Sequence, residues 1–225
     1  MAADRGGAET KAALIRAAEH LMAEHGIEAA QLQDINRLAG QRNKAAVHYH
    51  FGDRDGLLRA IGIKHRRINN AARNRMLDKL EAAGRPSLRE LVAAYVLPMS
   101  ASLADESGRD YIVIISEAAS RRGSQWLTHP DRAEVDSLER LIALVLDALP
   151  GSASARQELA GYMMLSVPAL VADIARDINK NNLAARTIRA RVERVIDFVT
   201  RAMTPEPLTG NGRHRRARSA DRPKQ

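Results

Sequence analysis

The sequence predicts an all-α fold of about nine helices, and three observations predict it. Apolar residues recur at spacings of three and four along most of the chain, which is the helical period. Helix-start patterns recur at Ser87-Leu88-Arg89-Glu90, Asp131-Arg132-Ala133-Glu134 and Ser154-Ala155-Arg156-Gln157, where a capping side chain precedes Glu or Gln by three positions. The run Tyr111 to Ile115 is apolar and β-branched enough to make a strand, but Ser116-Glu117-Ala118-Ala119-Ser120 continues it in helical character. One strand alone would have no partner, so a buried helix is expected there.

Taken in order, the first helix is expected from Thr10, whose hydroxyl can cap free amides, to the stop at Gly26. Leu14, Ala17, Ala18, Leu21 and Met22 form its apolar stripe. A second helix covers Gln31 to Ala39, burying Leu32, Ile35 and Leu38, and ends at Gly40. Asn43 can cap a third helix that runs through His50. Phe51-Gly52-Asp53 breaks the chain, and Asp53 can cap a long fourth helix to about Ala82.

Pro86-Ser87 closes a turn before the next helix, and Pro150-Gly151 separates two later ones. Pro98 and Pro168 fall inside helical segments and are expected to kink or break them. The last helix, Leu183 to Met203, sets Ile188, Val192, Val195, Ile196, Val199 and Met203 on one stripe and arginines elsewhere. Leu159 to Ile178 is apolar on nearly every side and must be covered all round. Burial against its own subunit on one side and a second copy on the other meets that need, so these two helices are read as a dimer interface; a fully internal helix of a monomer is the other reading.

Composition narrows the function. The chain has 225 residues, 45% of them apolar and none of them cysteine, so a sizeable core is available and a disulfide framework or thiolate nucleophile is not. Asp4, Arg5, Gly6, Gly7 and Glu9 near the start are unlike a secretory leader, and no uninterrupted apolar run is long enough for a membrane helix. A cytoplasmic protein with no membrane partner is expected. No Gly-rich phosphate loop, metal-spaced cluster or serine elbow is present, so neither an enzyme, a cofactor nor a metal site is expected. The formal charge of +8 suggests a polyanionic partner. Half of that excess lies in Pro205 to Gln225, which holds six bases and two acids, whereas residues 1–55 hold seven bases and eight acids. Placement, not bulk charge, therefore has to nominate a nucleic-acid site.

Three short helices followed by a long one provide a helix-turn-helix, in which two helices brace a third whose N-terminal half enters the major groove of double-stranded DNA. The stretch Thr10-Lys11-x-x-Leu14-Ile15-x-Ala17-Ala18-x-x-Leu21-Met22-x-Glu24-x-Gly26, then Asp34-Ile35-x-x-x-Ala39-Gly40, then Tyr49-His50-Phe51-x-x-Arg54-x-x-Leu57-Leu58, resembles the TetR family of bacterial transcriptional regulators. The resemblance covers about the first 60 residues; beyond them only helix count and size fit. It implies a homodimer with a DNA-binding head and a C-terminal domain holding an effector pocket and a dimerising helix pair. Two departures stand out: Ala30 occupies the place of the family's usual Thr, and the turn Gly40-Gln41-Arg42-Asn43-Lys44-Ala45-Ala46 is one residue longer than usual. The usual Tyr then falls at His48, with Tyr49 next to it.

The expected organisation is a flexible start over 1–9, the helix-turn-helix domain over 10–52, a ligand-binding and dimerisation domain over 53–203 and a disordered basic tail over 204–225. Lys44 is read as meeting base edges or phosphates, Arg42 as a bidentate guanine or phosphate contact, and Asn43 chiefly as a cap beside them. The resemblance puts His48, Tyr49, Arg54 and Lys11 on phosphates, and Gln33 and Arg37 are candidate backbone contacts. His48 and His50 point to different sides of a helix and make no metal pair. Lys64-His65-Arg66-Arg67 is read as a solvated face. Tyr95, Met99, Tyr111, Ile115, Trp126, Tyr162 and Met163 are candidates to line a pocket for a small, mostly apolar effector, with Glu117 or Arg121 as polar handles. The leading expectation is a repressor released from a palindromic operator by that effector. The alternative is a non-specific architectural DNA-binding protein that relies on the tail.

Overall fold

Nine α-helices and one short 3-10 turn account for the regular structure of the described residues, 2–122, 136–181 and 183–204 of a computed structural model, and no strand occurs among them. In chain order they are α1 Ala2–His25, α2 Leu32–Leu38, α3 Ala46–Phe51, α4 Arg54–Ala83, α5 Leu88–Ala101, α6 Glu106–Arg122, α7 Asp136–Ala148, α8 Ala153–Asn181 and α9 Ala185–Ala202. Trp126, the expected helix start at Asp131 to Glu134, and the basic tail from residue 205 lie outside the described residues.

The first helix begins eight residues ahead of Thr10, so residues 2–9 are helical and not an irregular lead. The alanines of this stretch carry little cost in a helix that α1 has already nucleated. Asp53 and Ser87 cap as expected. The Asp53 carboxylate accepts from the Gly56 N–H at 2.6 Å, and Ser87 and Glu90 close a reciprocal capping box. Tyr111 to Ile115 lies within α6, buried on nearly every side between α1 and α8. Neither Pro98 nor Pro168 breaks its helix; both are buried, and packing holds the helix together where a carbonyl partner is lost.

One contiguous core runs from Leu14, Ala18 and Met22 on α1 through Ile35, Val47, Leu57 and Ile61 to Ile112, Leu141, Val171 and Ile196. α6 is central: it packs chiefly against α8 and α1, while α5 packs on α9 and α4. α4 touches α1 and α3 as well as α5, α6 and α7, so a single rod joins the N-terminal helices to the rest. α8 is long and apolar enough to cross a membrane by length and composition, with a mean hydropathy of 1.3 over its most apolar stretch, but half of that stretch is buried inside this fold. Its apolarity is that of a core helix.

A buried charge cluster sits where α1, α4 and α6 meet. Glu19 is fully buried, and its carboxylate accepts from Lys64 Nζ at 2.9 Å, His65 Nε2 at 2.8 Å and Ser107 Oγ at 2.6 Å. Burial pushes its pKa up, but the bonds from His65, Ser107 and Lys64 outweigh this and hold it below the usual carboxylate range. His65 also stacks on Tyr111, ring centroids 4.3 Å apart. His65 is therefore not part of a solvated face, because helical phase turns His65, Asn69 and Arg73 inward together, whereas Lys64 and Arg67 remain exposed, Lys64 with its ammonium on Glu19.

Candidate nucleic-acid interface

The N-terminal head is shaped by its turns. Gly26 and Gly40 take φ of +96° and +69°, a region costly for residues with a Cβ, and so end α1 and α2 sharply. Gln31, at the N-cap of α2, makes no side-chain capping bond, in keeping with an Ala at position 30, and Ala30 is itself buried. The long turn between α2 and α3 is held from inside by Asn36, which is 2% exposed: its Nδ2 donates to the Lys44 carbonyl at 2.7 Å and its Oδ1 accepts from the Val47 N–H at 3.2 Å. The Gln41 N–H donates to the Asn36 carbonyl at 2.9 Å. Asn36 thus spans α2, the turn and α3, a role that no spacing in the sequence announced.

Asn43 braces the turn but is not the expected cap of α3, whose N-cap is Ala45 without a side-chain capping bond. Its Oδ1 accepts from the Ala45 N–H at 2.9 Å, and α3 opens only at Ala46. Lys44 consequently stands in the turn two residues ahead of the helix, not on its first turn. Ala46 and Val47 are buried against the head, which turns Arg42, Asn43, Lys44, His48 and Tyr49 outward, Tyr49 with 83% of its surface exposed. Lys11 on α1 and Gln33 and Arg37 on α2 are also exposed, and Arg37 pairs with Asp34 at 2.8 Å. Leu38, expected to be buried, is 54% exposed, because α2 ends there and its last turn projects past Ile35.

His48 Nδ1 lies 2.6 Å from the Gly52 carbonyl, which can only accept, so Nδ1 carries the proton and donates. Its Nε2 then points away as an acceptor when the ring is neutral and as a donor when it is charged. Tyr49 sits edge-on to His50, ring centroids 4.9 Å apart.

Arg54 departs from the outward row. Its Nη1 donates to the Ile27 carbonyl and, at 2.6 Å, to the Ala30 carbonyl, and its Nε lies 3.8 Å from Glu28. The guanidinium closes the α1–α2 loop, whose carbonyls have no helical partners. On the other side of that loop Glu117 of α6 accepts from the Ile27 N–H at 3.1 Å, and Arg121 bridges Glu117 at 3.1 Å and Glu28 at 3.5 Å. Glu117 and Arg121 are therefore at the junction with the head, not handles inside a pocket, since their helical phase carries them to the α1 side of α6.

Of the pocket candidates, Tyr95, Met99, Tyr111, Ile115 and Met163 are all buried in the core formed by α5, α6 and α8. Tyr162 is 56% exposed on the outer side of α8, with its hydroxyl on Glu158 at 2.5 Å. Among the described residues a cleft of about 800 Å3 lies elsewhere, between α1, α6, α8 and α9, and none of these candidates lines it. The polar group beside them that the sequence reading missed is Arg73, 4% exposed on α4. Its guanidinium lies 5.5 Å from the Tyr95 ring centroid and donates to Ser137 Oγ at 2.9 Å and Asn70 Oδ1 at 3.2 Å. Its Nε has no partner, and it meets no carboxylate among the described residues. Burial lowers its pKa, and it raises that of Tyr111 to about 12.

Residues 14–61 match the model of the bacterial regulatory proteins, tetR family. No curated protein sequence matches the chain. Among solved structures the fold is similar to the superantigen PfiT, at 18% identity over 84% of this chain and 95% of that one, TM-score 0.49. It is also similar to the fatty acid degradation regulator FadR from Bacillus halodurans, at 17% identity over 92% and 97% of the two chains, TM-score 0.47. A TetR-family regulator from Streptomyces coelicolor A3 is similar at 16% identity over 86% and 96%, TM-score 0.38. The matched segment holds all of α2 and α3, the turn that Asn36 braces and the start of α4. Residues 14–61 thus form an N-terminal helix-turn-helix segment that matches the tetR family of bacterial regulatory proteins.

Proposed function

We propose that the protein is a transcriptional repressor that binds a palindromic operator as a homodimer and is released by a small, mostly apolar effector. The observation that carries the reading is the outward row Arg42, Lys44, His48 and Tyr49, set on a turn and helix whose inner side is fixed by Asn36 and Val47. Cationic and hydrogen-bonding side chains on one convex edge suit phosphates and base edges. Lys11, Gln33 and Arg37 extend that edge onto flanking phosphates, and Asn43 lies exposed in the same turn.

Two heads about 34–36 Å apart enter successive major grooves, so a small change in their spacing lowers affinity. Support for the pairing comes from the outer sides of α8 and α9, where Tyr162, Leu165 and Phe198 are exposed. The effector reading rests on the core around Tyr95, Met99, Tyr111, Ile115 and Met163. Arg73 supplies its polar end: a buried guanidinium with no carboxylate partner among the described residues favours a ligand that brings an acidic or carbonyl group. A shift of α4 and α6 reaches the head through Arg54 and Glu117, which grip the α1–α2 loop from both sides.

Selection of duplexes from a random pool with the full chain tests the reading. Enrichment of an inverted repeat bound at nanomolar affinity supports it. Binding without sequence preference, lost when residues 205–225 are deleted, favours the architectural alternative.

A further inference from the structure

The cleft of about 800 Å3 between α1, α6, α8 and α9 is separate from both the DNA-facing edge and the aromatic core. At one end, His20 and Glu24 lie one turn apart on α1, and Glu106 and Asp110 lie one turn apart on α6. His20 is 3.4 Å from Glu24 and its Nδ1 is 3.9 Å from Glu106 Oε1. One donor atom from each of His20, Glu106 and Asp110 falls within 4.8 Å of the other two.

Asp110 makes this more than an acidic corner. It is 6% exposed, faces the cleft, and among the described residues no donor bonds to its carboxylate. A buried carboxylate without a partner is costly, and burial together with the nearby Glu106 pushes its pKa up to about 6. Glu19, its buried neighbour across the α1–α6 contact, has three donors, so among the described residues one carboxylate has partners and the other has none.

We propose that His20, Glu106 and Asp110 form a binding site for a divalent transition-metal ion that joins α1 to α6. One imidazole and two carboxylates suit Mn²⁺, Zn²⁺ and their neighbours, whereas Mg²⁺ and Ca²⁺ favour oxygen donors alone. Metal–donor distances of about 2.0–2.2 Å require the three donors to draw together by about 1 Å. His20 and Glu106 are both exposed and can do so by rotamer changes around a fixed Asp110. Three protein donors leave coordination positions open toward the cleft. The ion would cross-link the first helix of the DNA-binding head to the central helix of the rest, next to the Glu19 cluster.

The test is metal binding by the full chain, independent of any DNA. Mn²⁺ is titrated and read by loss of the free-ion paramagnetic resonance signal, and Zn²⁺ is titrated in competition with a chromophoric chelator. The expected result is one site per chain, weakened at least tenfold in Asp110→Asn and in His20→Gln, with unchanged far-ultraviolet circular dichroism. The chain has seven histidines, and adventitious binding at the others is the same in wild type and variants. Absence of a site in the wild type, or equal binding by wild type and variants, overturns the proposal. If Asp110→Asn fails to fold, His20→Gln decides, because His20 is half exposed and its removal leaves no buried gap.

Discussion

At the scale of single residues, the proposed DNA contacts and the bonds that hold the head together fall to different side chains. Lys44 is exposed in the turn with its backbone, not its ammonium, tied down. Lys44→Ala is expected to leave thermal stability unchanged, weaken operator binding and lower the salt dependence by about one counterion, measured by fluorescence anisotropy across salt concentrations. Asn36→Ala should behave in the opposite order. It strands the Val47 N–H and the Lys44 carbonyl, at a cost of about 1–3 kcal/mol in denaturant unfolding, and DNA binding falls because the turn loosens. Arg54 belongs with Asn36, although its sequence position matches a phosphate contact. Arg54→Ala is expected to cost about 2 kcal/mol, because the Ile27 and Ala30 carbonyls lose a charged donor. Arg54→Ala with wild-type stability but weakened DNA binding would return that side chain to the phosphate.

At the scale of elements, close approaches decide how the head is built. The start of α4 comes so near the end of α3 that a Cβ on Gly56 would stand 1.8 Å from the Phe51 carbonyl oxygen. Gly56→Ala is therefore expected to push α4 away from α3, lowering the melting temperature by several degrees and abolishing operator binding. Because the neighbour is backbone, no rotamer change relieves it. The grip of α6 on the head is subtler. Glu117→Gln keeps a carbonyl to accept the Ile27 N–H but discharges the pair with Arg121, so its folding stability should change by less than about 1 kcal/mol. Its effect is expected in the transmission step: operator affinity without effector stays near wild type while effector-driven release weakens, measured in one anisotropy titration with and without the ligand. Equal release in wild type and variant would remove Glu117 from the transmission route.

At the scale of the whole molecule, the exposed outer sides of α8 and α9 are the proposed pairing surface. Phe198→Glu combined with Leu165→Glu is expected to give a monomer by analytical ultracentrifugation, folded by circular dichroism, with operator binding lost because one head engages one half-site. Retention of a dimer would place the pairing surface elsewhere. By itself the sequence determined the helical fold, most helix boundaries, the caps at Asp53 and Ser87 and the exposure of His48 and Tyr49 on the third helix, since these follow from local periodicity and local hydrogen bonding. It also carried the segment 14–61 that matches the tetR-family model. Only the tertiary structure decided that Arg54 and Glu117 clasp a loop, that His65 and Arg73 turn inward and that His20, Glu106 and Asp110 converge. Each of these depends on which helix packs against which and at what phase, and such long-range pairings leave no trace in residue spacing.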